Sequence, residues 1–378
     1  MAKLLITTEF SAPTTVLGIQ VLRAFAAIAV VIHHSIRAYT VNLPDRLAAI
    51  PKSVLDIPWF YSALAAGVDV FFVISGFIMV LVAEPYLARR KPVTDFWLKR
   101  VLRIYPPYIV ATLICLAFVF YAARHHGSHF DLSPHRILGA LTLIPTFDAS
   151  GMVQPVLGVG WTLSYEMYFY LLFGLAILAG GRRYLLILAA AIVGVLLAAQ
   201  ALPDTYAIGV FLKNPVVLEF LLGCGLGFLY LRSTAINLPA LALPLAVALL
   251  FAATYCAEQY QFSDDWRFLY YGIPAALIVG CILRLELLNA VRWPTLLVFL
   301  GGASYSIYLV HVIFIYFVLP RPLDAMLLRG IGSADVAILM CVIVSIVGGV
   351  CYYLAIERNL RLTRAARQGP TAQAKPTI

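Results

Sequence analysis

Charge is what this sequence has least of. Only 12% of its 378 residues are Asp, Glu, Lys or Arg, about half the share of a soluble domain. That scarcity excludes an ordinary globular enzyme. The net charge of +9 fits cytoplasmic loops biased toward Lys and Arg and facing anionic lipid, so no nucleic-acid partner is expected. Cysteine is sparse too. Cys115, Cys224, Cys256, Cys281, Cys341 and Cys351 all lie in apolar runs with no paired spacing, which excludes a disulfide framework and a zinc site. There is no phosphate-cradling glycine loop, no Gly-x-Ser-x-Gly elbow and no His-Glu-x-x-His helix. The stretch RHHGSHFDLSPH carries His125, His126, His129 and His135, but no ordered ligand pattern completes it, so it reads as a solvated loop and no metal is expected. No internal repeat, low-complexity linker or soluble domain interrupts the chain.

What is present is apolar. Hydrophobic residues make up 62% of the chain and the mean hydropathy is +0.93. A span needs about 20 mostly apolar residues, and the pattern predicts an all-α polytopic membrane protein of about ten helices in one bundle. The predicted spans are 17–38, 63–84, 105–123, 161–179, 184–200, 214–231, 238–257, 268–284, 294–318 and 335–356. The stretch 136–147 is apolar but too short to cross, and is expected to be re-entrant or interfacial. Basic residues such as Arg89, Arg90, Lys91, Lys99, Arg100 and Arg103 then fall on the side of the N-terminus, as expected if both termini are cytoplasmic. The organisation expected is a cytoplasmic N-terminus (1–16), a membrane domain (17–357) and a basic cytoplasmic tail (358–378), disordered from about Arg364. The N-terminus lacks the features of a cleaved signal peptide.

A few polar residues sit where hydrocarbon is expected. In the first span, LRAFAAIAVVIHHS, Arg23 and His34 lie on one helical face, about 16 Å apart along the axis; His33 points elsewhere. Either Arg23 snorkels to the surface and His34 sits at the outer interface, or both line a polar pathway in which His34 is a base. Asp69, in GVDVFFVISGF, needs a partner, with Arg23 or a histidine as candidates; the alternative is an interfacial position. Ser75 and Gly76 beside it suit close helix packing. In DFWLKRVLRIYPPY, Lys99, Arg100 and Arg103 are either a positive-inside anchor or a grip on phosphates. An aromatic belt explains Trp161 in GWTLSYEMYFYLLF but not Glu166. Ser304, Tyr308 and His311 form one polar stripe, for interhelical hydrogen bonding or for a watery cavity.

Five of these segments, in order and covering nearly the whole chain, resemble the acyltransferase 3 family of integral membrane acyltransferases: LRAFAAIAVVIHH, GVDVFFVISGF, FWLKRVLRIYPPY, WTLSYEMYFYLLF and ASYSIYLVH. PVLGVGWTLSYEMYFYLLF is most similar to exopolysaccharide O-acetyltransferases of the succinoglycan type. The sequence departs from the family pattern at Met167 after Glu166, at Glu357-Arg358-Asn359, and at Gly18-Ile19-Gln20.

The resemblance implies a multi-pass enzyme of the bacterial inner membrane. It would move an acetyl or other short acyl group from cytoplasmic acyl-CoA, with no tightly bound cofactor. The acceptor would be a sugar hydroxyl of a lipid-linked or growing exopolysaccharide or other surface glycan. His34 would be the catalytic base or acyl carrier and Arg23 its motif partner. Arg100, Arg103 and Lys99 would hold the donor's phosphates. Asp69 or Glu166 would fix the imidazole tautomer or pair with Arg23. Trp161, Ser304, Tyr308 and His311 would line the acceptor end. Membrane lipid and polysaccharide-assembly machinery are the other partners expected. A transporter or flippase for polysaccharide precursors is the alternative; release of free CoA separates the two.

Overall fold

The computed structural model describes residues 16–41, 47, 50–126, 131–232, 239 and 241–360. The segments 1–15 and 361–378, on which most of the expectations for the two termini fall, lie outside the described residues, as does His129.

In chain order the helices are α1 (Leu17–Tyr39), α2 (Pro58–Leu64), α3 (Gly67–Val82), α4 (Glu84–Leu87), α5 (Val93–His126), α6 (Pro134–Thr142), α7 (Gly160–Gly180), α8 (Tyr184–Ala199), α9 (Ala207–Lys213), α10 (Leu218–Leu231), α11 (Ala242–Gln259), α12 (Ile273–Leu287), α13 (Thr295–Ile313), α14 (Pro320–Leu328) and α15 (Ala334–Tyr352). Among the described residues, β structure is limited to one isolated antiparallel bridge between Phe147 and Val153.

Among the described residues, eight helical stretches are long and apolar enough to cross a membrane, or nine if the pair Ala207–Lys213 and Pro215–Leu231, bent by 46°, is one span. The sequence predicts ten. The difference arises at Gly160–Ala199, a single 40-residue stretch by this measure. Straight, it would be about 60 Å long, twice the hydrocarbon thickness. It is not straight. Gly181 has φ +47°, and the rings of Phe173 and Tyr184 are 5.6 Å apart, where a continuous helix would separate them by about 16 Å. α7 and α8 therefore fold back on one another, and the predicted spans 161–179 and 184–200 are the two limbs of this hairpin.

The bundle is drawn together where side chains are smallest. A Cβ on Gly76 of α3 would overlap the backbone of Phe220, and one on Gly223 of α10 would overlap that of Val73, so these helices cross backbone to backbone, as small residues permit in a bilayer. Gly301 lets α13 approach the backbone of α1 at Gln20 in the same way. α5 is longer than predicted, 34 residues with Pro106 and Pro107 inside it. Neighbouring hydroxyls bond its backbone near these prolines: Tyr305 donates to the Ile104 carbonyl at 2.8 Å and Tyr352 to that of Pro107 at 2.5 Å.

Residues 136–147 form the end of α6 and a loop. Leu143 turns the chain with φ +61°. Arg136 ties the loop down, donating from Nη1 to the Gln154 carbonyl and the Thr146 hydroxyl, both at 2.7 Å. The segment that follows, from Met152 to Val159, walls the larger of the two cavities described next.

Candidate active site

Among the described residues, two cavities of the bundle hold most of the rare polar side chains. The larger, about 520 Å³, is bounded by His33, His34 and Arg37 of α1, by Arg267, and by Trp161, Tyr308 and Tyr316. The smaller, about 70 Å³, holds Arg23, Ser75, Arg103, Glu166, Tyr170 and Tyr305 among apolar side chains. Val68 and Tyr308 line both. Tyr308 is fixed in that wall, because its hydroxyl lies 2.9 Å from the Thr162 hydroxyl and donates to the Val159 carbonyl at 3.1 Å.

The imidazoles form a directed chain. His34 Nδ1 is 3.0 Å from the Val30 carbonyl. A carbonyl oxygen only accepts, so Nδ1 carries the proton and Nε2 keeps its lone pair. His311 Nδ1 donates to the Tyr308 carbonyl at 2.7 Å, and its Nε2 lone pair faces His34 Nδ1 at 3.3 Å. A backbone carbonyl and a second imidazole thus set the His34 tautomer. Asp69 and Glu166, expected from the sequence to do this, bond elsewhere. The geometry leaves His34 Nε2 able to take a proton from a hydroxyl in the cavity. His33, off the face that Arg23 and His34 share, also lines this cavity, and its Nδ1 donates to the Tyr61 carbonyl at 2.7 Å.

Asp69 is fully buried and pairs with Arg267, Nη2 to Oδ2, at 2.6 Å. It does not pair with Arg23 or a histidine. The Arg267 guanidinium also lies over the Tyr271 ring, 4.7 Å from its centroid. Glu219, fully buried on α10, sits beside Asp69, in the space left by the missing side chain of Gly272. Glu166 accepts hydrogen bonds from Ser75 at 3.2 Å and from Tyr170.

Arg23 bonds to Gln20 Oε1 at 3.2 Å and opens into the smaller cavity with Arg103. Arg100 lies one turn away, its guanidinium 5.6 Å from the Phe96 ring centroid and 5.8 Å from that of Tyr170. Lys99 stands apart, held by Asp95 at 2.8 Å. Trp161 and Tyr308 line the larger cavity and His311 backs it through His34. Ser304 is buried but lines neither cavity. Arg23 and His34 therefore share a helix but open into different chambers.

Arg37, Glu219 and Arg267 were not singled out as site residues in the sequence. Glu219 carried a usable signal, a lone carboxylate in PVVLEFLLGCG. Nothing local in the sequence marks Arg267, which only the fold brings to Asp69. Glu357 is a further buried acid, accepting from the Ser306 hydroxyl at 2.5 Å. Three π-helical turns, Phe268–Gly272, Phe314–Val318 and Tyr353–Glu357, fall next to Arg267 and across Tyr316 and Glu357, consistent with the tendency of such turns to mark functional positions.

Residues 16–354 match the family described as the acyltransferase domain. The chain is 32% identical to the exopolysaccharide production protein ExoZ of Rhizobium meliloti over 80% of its own length and 92% of that protein. It is 24% identical to the O-acetyltransferase OatA of Staphylococcus aureus over 80% of its length, but spans only about half of that protein, 51%. No solved structure matches.

Proposed function

Because the chain belongs to the acyltransferase domain family, we propose that it moves an acetyl or other short acyl group from acyl-CoA to a sugar hydroxyl of a lipid-linked or growing exopolysaccharide or other surface glycan. It would work in the bacterial inner membrane with both termini in the cytoplasm. The observation that carries the reading is His34: its Nδ1 is engaged by Val30 and His311, and its residue lines a cavity large enough for part of a glycan. The relatives named for exopolysaccharide production and O-acetyl transfer support the acceptor class.

In this mechanism the donor enters from the side of the smaller cavity. Arg100 and Arg103 hold its phosphates, Arg23 lies along the pantetheine arm, and the arm passes Tyr308 so that the thioester reaches His34. The acceptor enters the larger cavity. His34 Nε2 takes the proton of the acceptor hydroxyl, whose oxygen attacks the thioester carbonyl. The tetrahedral intermediate collapses, the C–S bond breaks, and the imidazolium returns the proton to the CoA thiolate. His311 Nε2 accepts from His34 Nδ1 and steadies the charged ring as it forms.

Mass spectrometry of surface and secreted polysaccharide tests this. A deletion strain should lack one acyl group per repeat. Wild type should restore it, and His34→Ala, at normal membrane levels, should not. Unchanged acylation in all three strains would sink the reading; loss of the polymer itself would move export ahead of acyl transfer.

A further inference from the structure

Arg37 and Arg267 both line the cavity that holds His34, and among the described residues that line it there is no carboxylate. The two cations are held differently. Arg267 is anchored from behind by Asp69, with Tyr271 under its plane. Arg37, half-buried at the last turn of α1, has no hydrogen-bond or ion-pair partner among the described residues. Two acids, Glu258 and Asp264, line an adjoining cavity of about 270 Å³ that shares both arginines. There Glu258 accepts from Ser62 at 2.5 Å and Asp264 from Tyr270 at 3.3 Å. A guanidinium kept in a partly dry cavity without a counter-charge, as Arg37 is, is costly; with Arg267, paired from behind, facing the same space, the two suit an anion that takes charge-assisted hydrogen bonds from both.

Resting on the reading that the acceptor is a glycan, we propose that the acceptor unit presented to His34 is anionic, its carboxylate or phosphate bound between Arg37 and Arg267. Arg37 follows His34 by one helical turn on the same face, with Cβ atoms about 5–6 Å apart. The anionic group therefore belongs to the sugar that is acylated or to the unit joined directly to it. The donor's phosphates are not the anion in question, since Arg100 and Arg103 lie toward the other chamber.

The test uses full-length protein in detergent or proteoliposomes with labelled acetyl-CoA. One arm compares polysaccharide from the deletion strain with the same polymer after carboxyl reduction. The other compares its lipid-diphosphate-linked oligosaccharide with the same oligosaccharide released and dephosphorylated. A carboxylate anchor predicts at least about tenfold loss of kcat/KM on carboxyl reduction; a phosphate anchor predicts that loss in the second arm only. Arg37→Gln should raise the acceptor KM about tenfold with the KM for acetyl-CoA unchanged, and Arg37→Lys should recover part of it. If Arg37→Gln does not fold, the wild-type acceptor KM must still rise with ionic strength. Equal transfer to charged and neutral acceptors in both arms overturns the proposal while leaving acyl transfer standing. No transfer to any glycan and no CoA release overturns both.

Discussion

The two cavities meet at Tyr308 and Val68 but follow opposite plans. The smaller contains its own counter-charge: Glu166 lines it together with Arg23 and Arg103, and Glu166 is tied to Ser75 and Tyr170. The larger has arginines and imidazoles and no lining carboxylate. The acid that pairs with Arg267, Asp69, lies behind the wall. Polar groups that answer one another inside a bundle hold the structure together; polar groups of one sign around open space await something from outside. The smaller cavity is thus partly neutralised from within and the larger is not, a difference that burial alone would not show.

The comparison breaks hardest at His34. His34→Ala should lower the rate of acyl transfer by about 10²–10⁴-fold, measured with labelled acyl-CoA, while thermal stability stays near wild type. His311→Ala should lower it less, because it acts through His34. If both variants retain full activity, the larger cavity is not where chemistry happens.

Next comes the wall behind Arg267. Asp69→Asn removes the counter-charge of a buried guanidinium and should cost about 3–5 kcal/mol of stability, read as a lower thermal unfolding temperature in detergent. A variant as stable as wild type would mean that Arg267 turns to solvent and the pair is not structural.

A smaller effect is expected at the partition. Tyr308→Phe loses the hydroxyl contacts to Thr162 and Val159 and should cost about 1 kcal/mol. Tyr308→Ala should widen the opening between the chambers and raise CoA release that is not matched by glycan acylation, since water then reaches the thioester ahead of the acceptor. Tight coupling in Tyr308→Ala would show that some other residue keeps that opening narrow.

The smallest effect lies in the loop that walls the larger cavity. Burial raises the pKa of the Asp148 carboxyl, but the Ser150 hydroxyl, the Gln154 amide and the backbone N–H groups of Met152 and Ser150 outweigh it and hold the carboxyl below its ordinary value. A depressed carboxylate stabilises the fold above its unfolded pKa of about 3.9. That contribution is lost as pH falls through the lower folded value. Asp148→Asn should cost under about 1 kcal/mol near neutrality and remove this acid sensitivity from hydrogen exchange of residues 148–154.

Much of the site was legible in the sequence because charge is so rare in it. Arg23, His34, Asp69, Arg103 and Glu166 stand out in apolar runs, and each lines a cavity or is buried against a partner. Their partners were not legible. The expected link from Asp69 to Arg23 fails because Asp69 lies on α3 opposite the segment that begins α12, so Arg267 reaches it first. His34 takes its orientation from the carbonyl of Val30 in its own helix, which any sequence would offer, and from His311 on α13, which only helix packing brings near. Lys99 read like Arg100 and Arg103, but it is neutralised by Asp95 on its own helix.

The sequence by itself determined that the chain is a helical membrane protein and which rare polar residues its interior must accommodate, because hydrophobic length and the cost of charge in lipid are properties of the local chain. The tertiary structure alone decided that Arg23 and His34 open into separate chambers, that α7 and α8 turn back at Gly181, and that Arg267 meets Asp69. Those outcomes depend on where glycine lets one helix approach another, and side chains from α1, α3, α12 and α13 become neighbours only once those approaches are made.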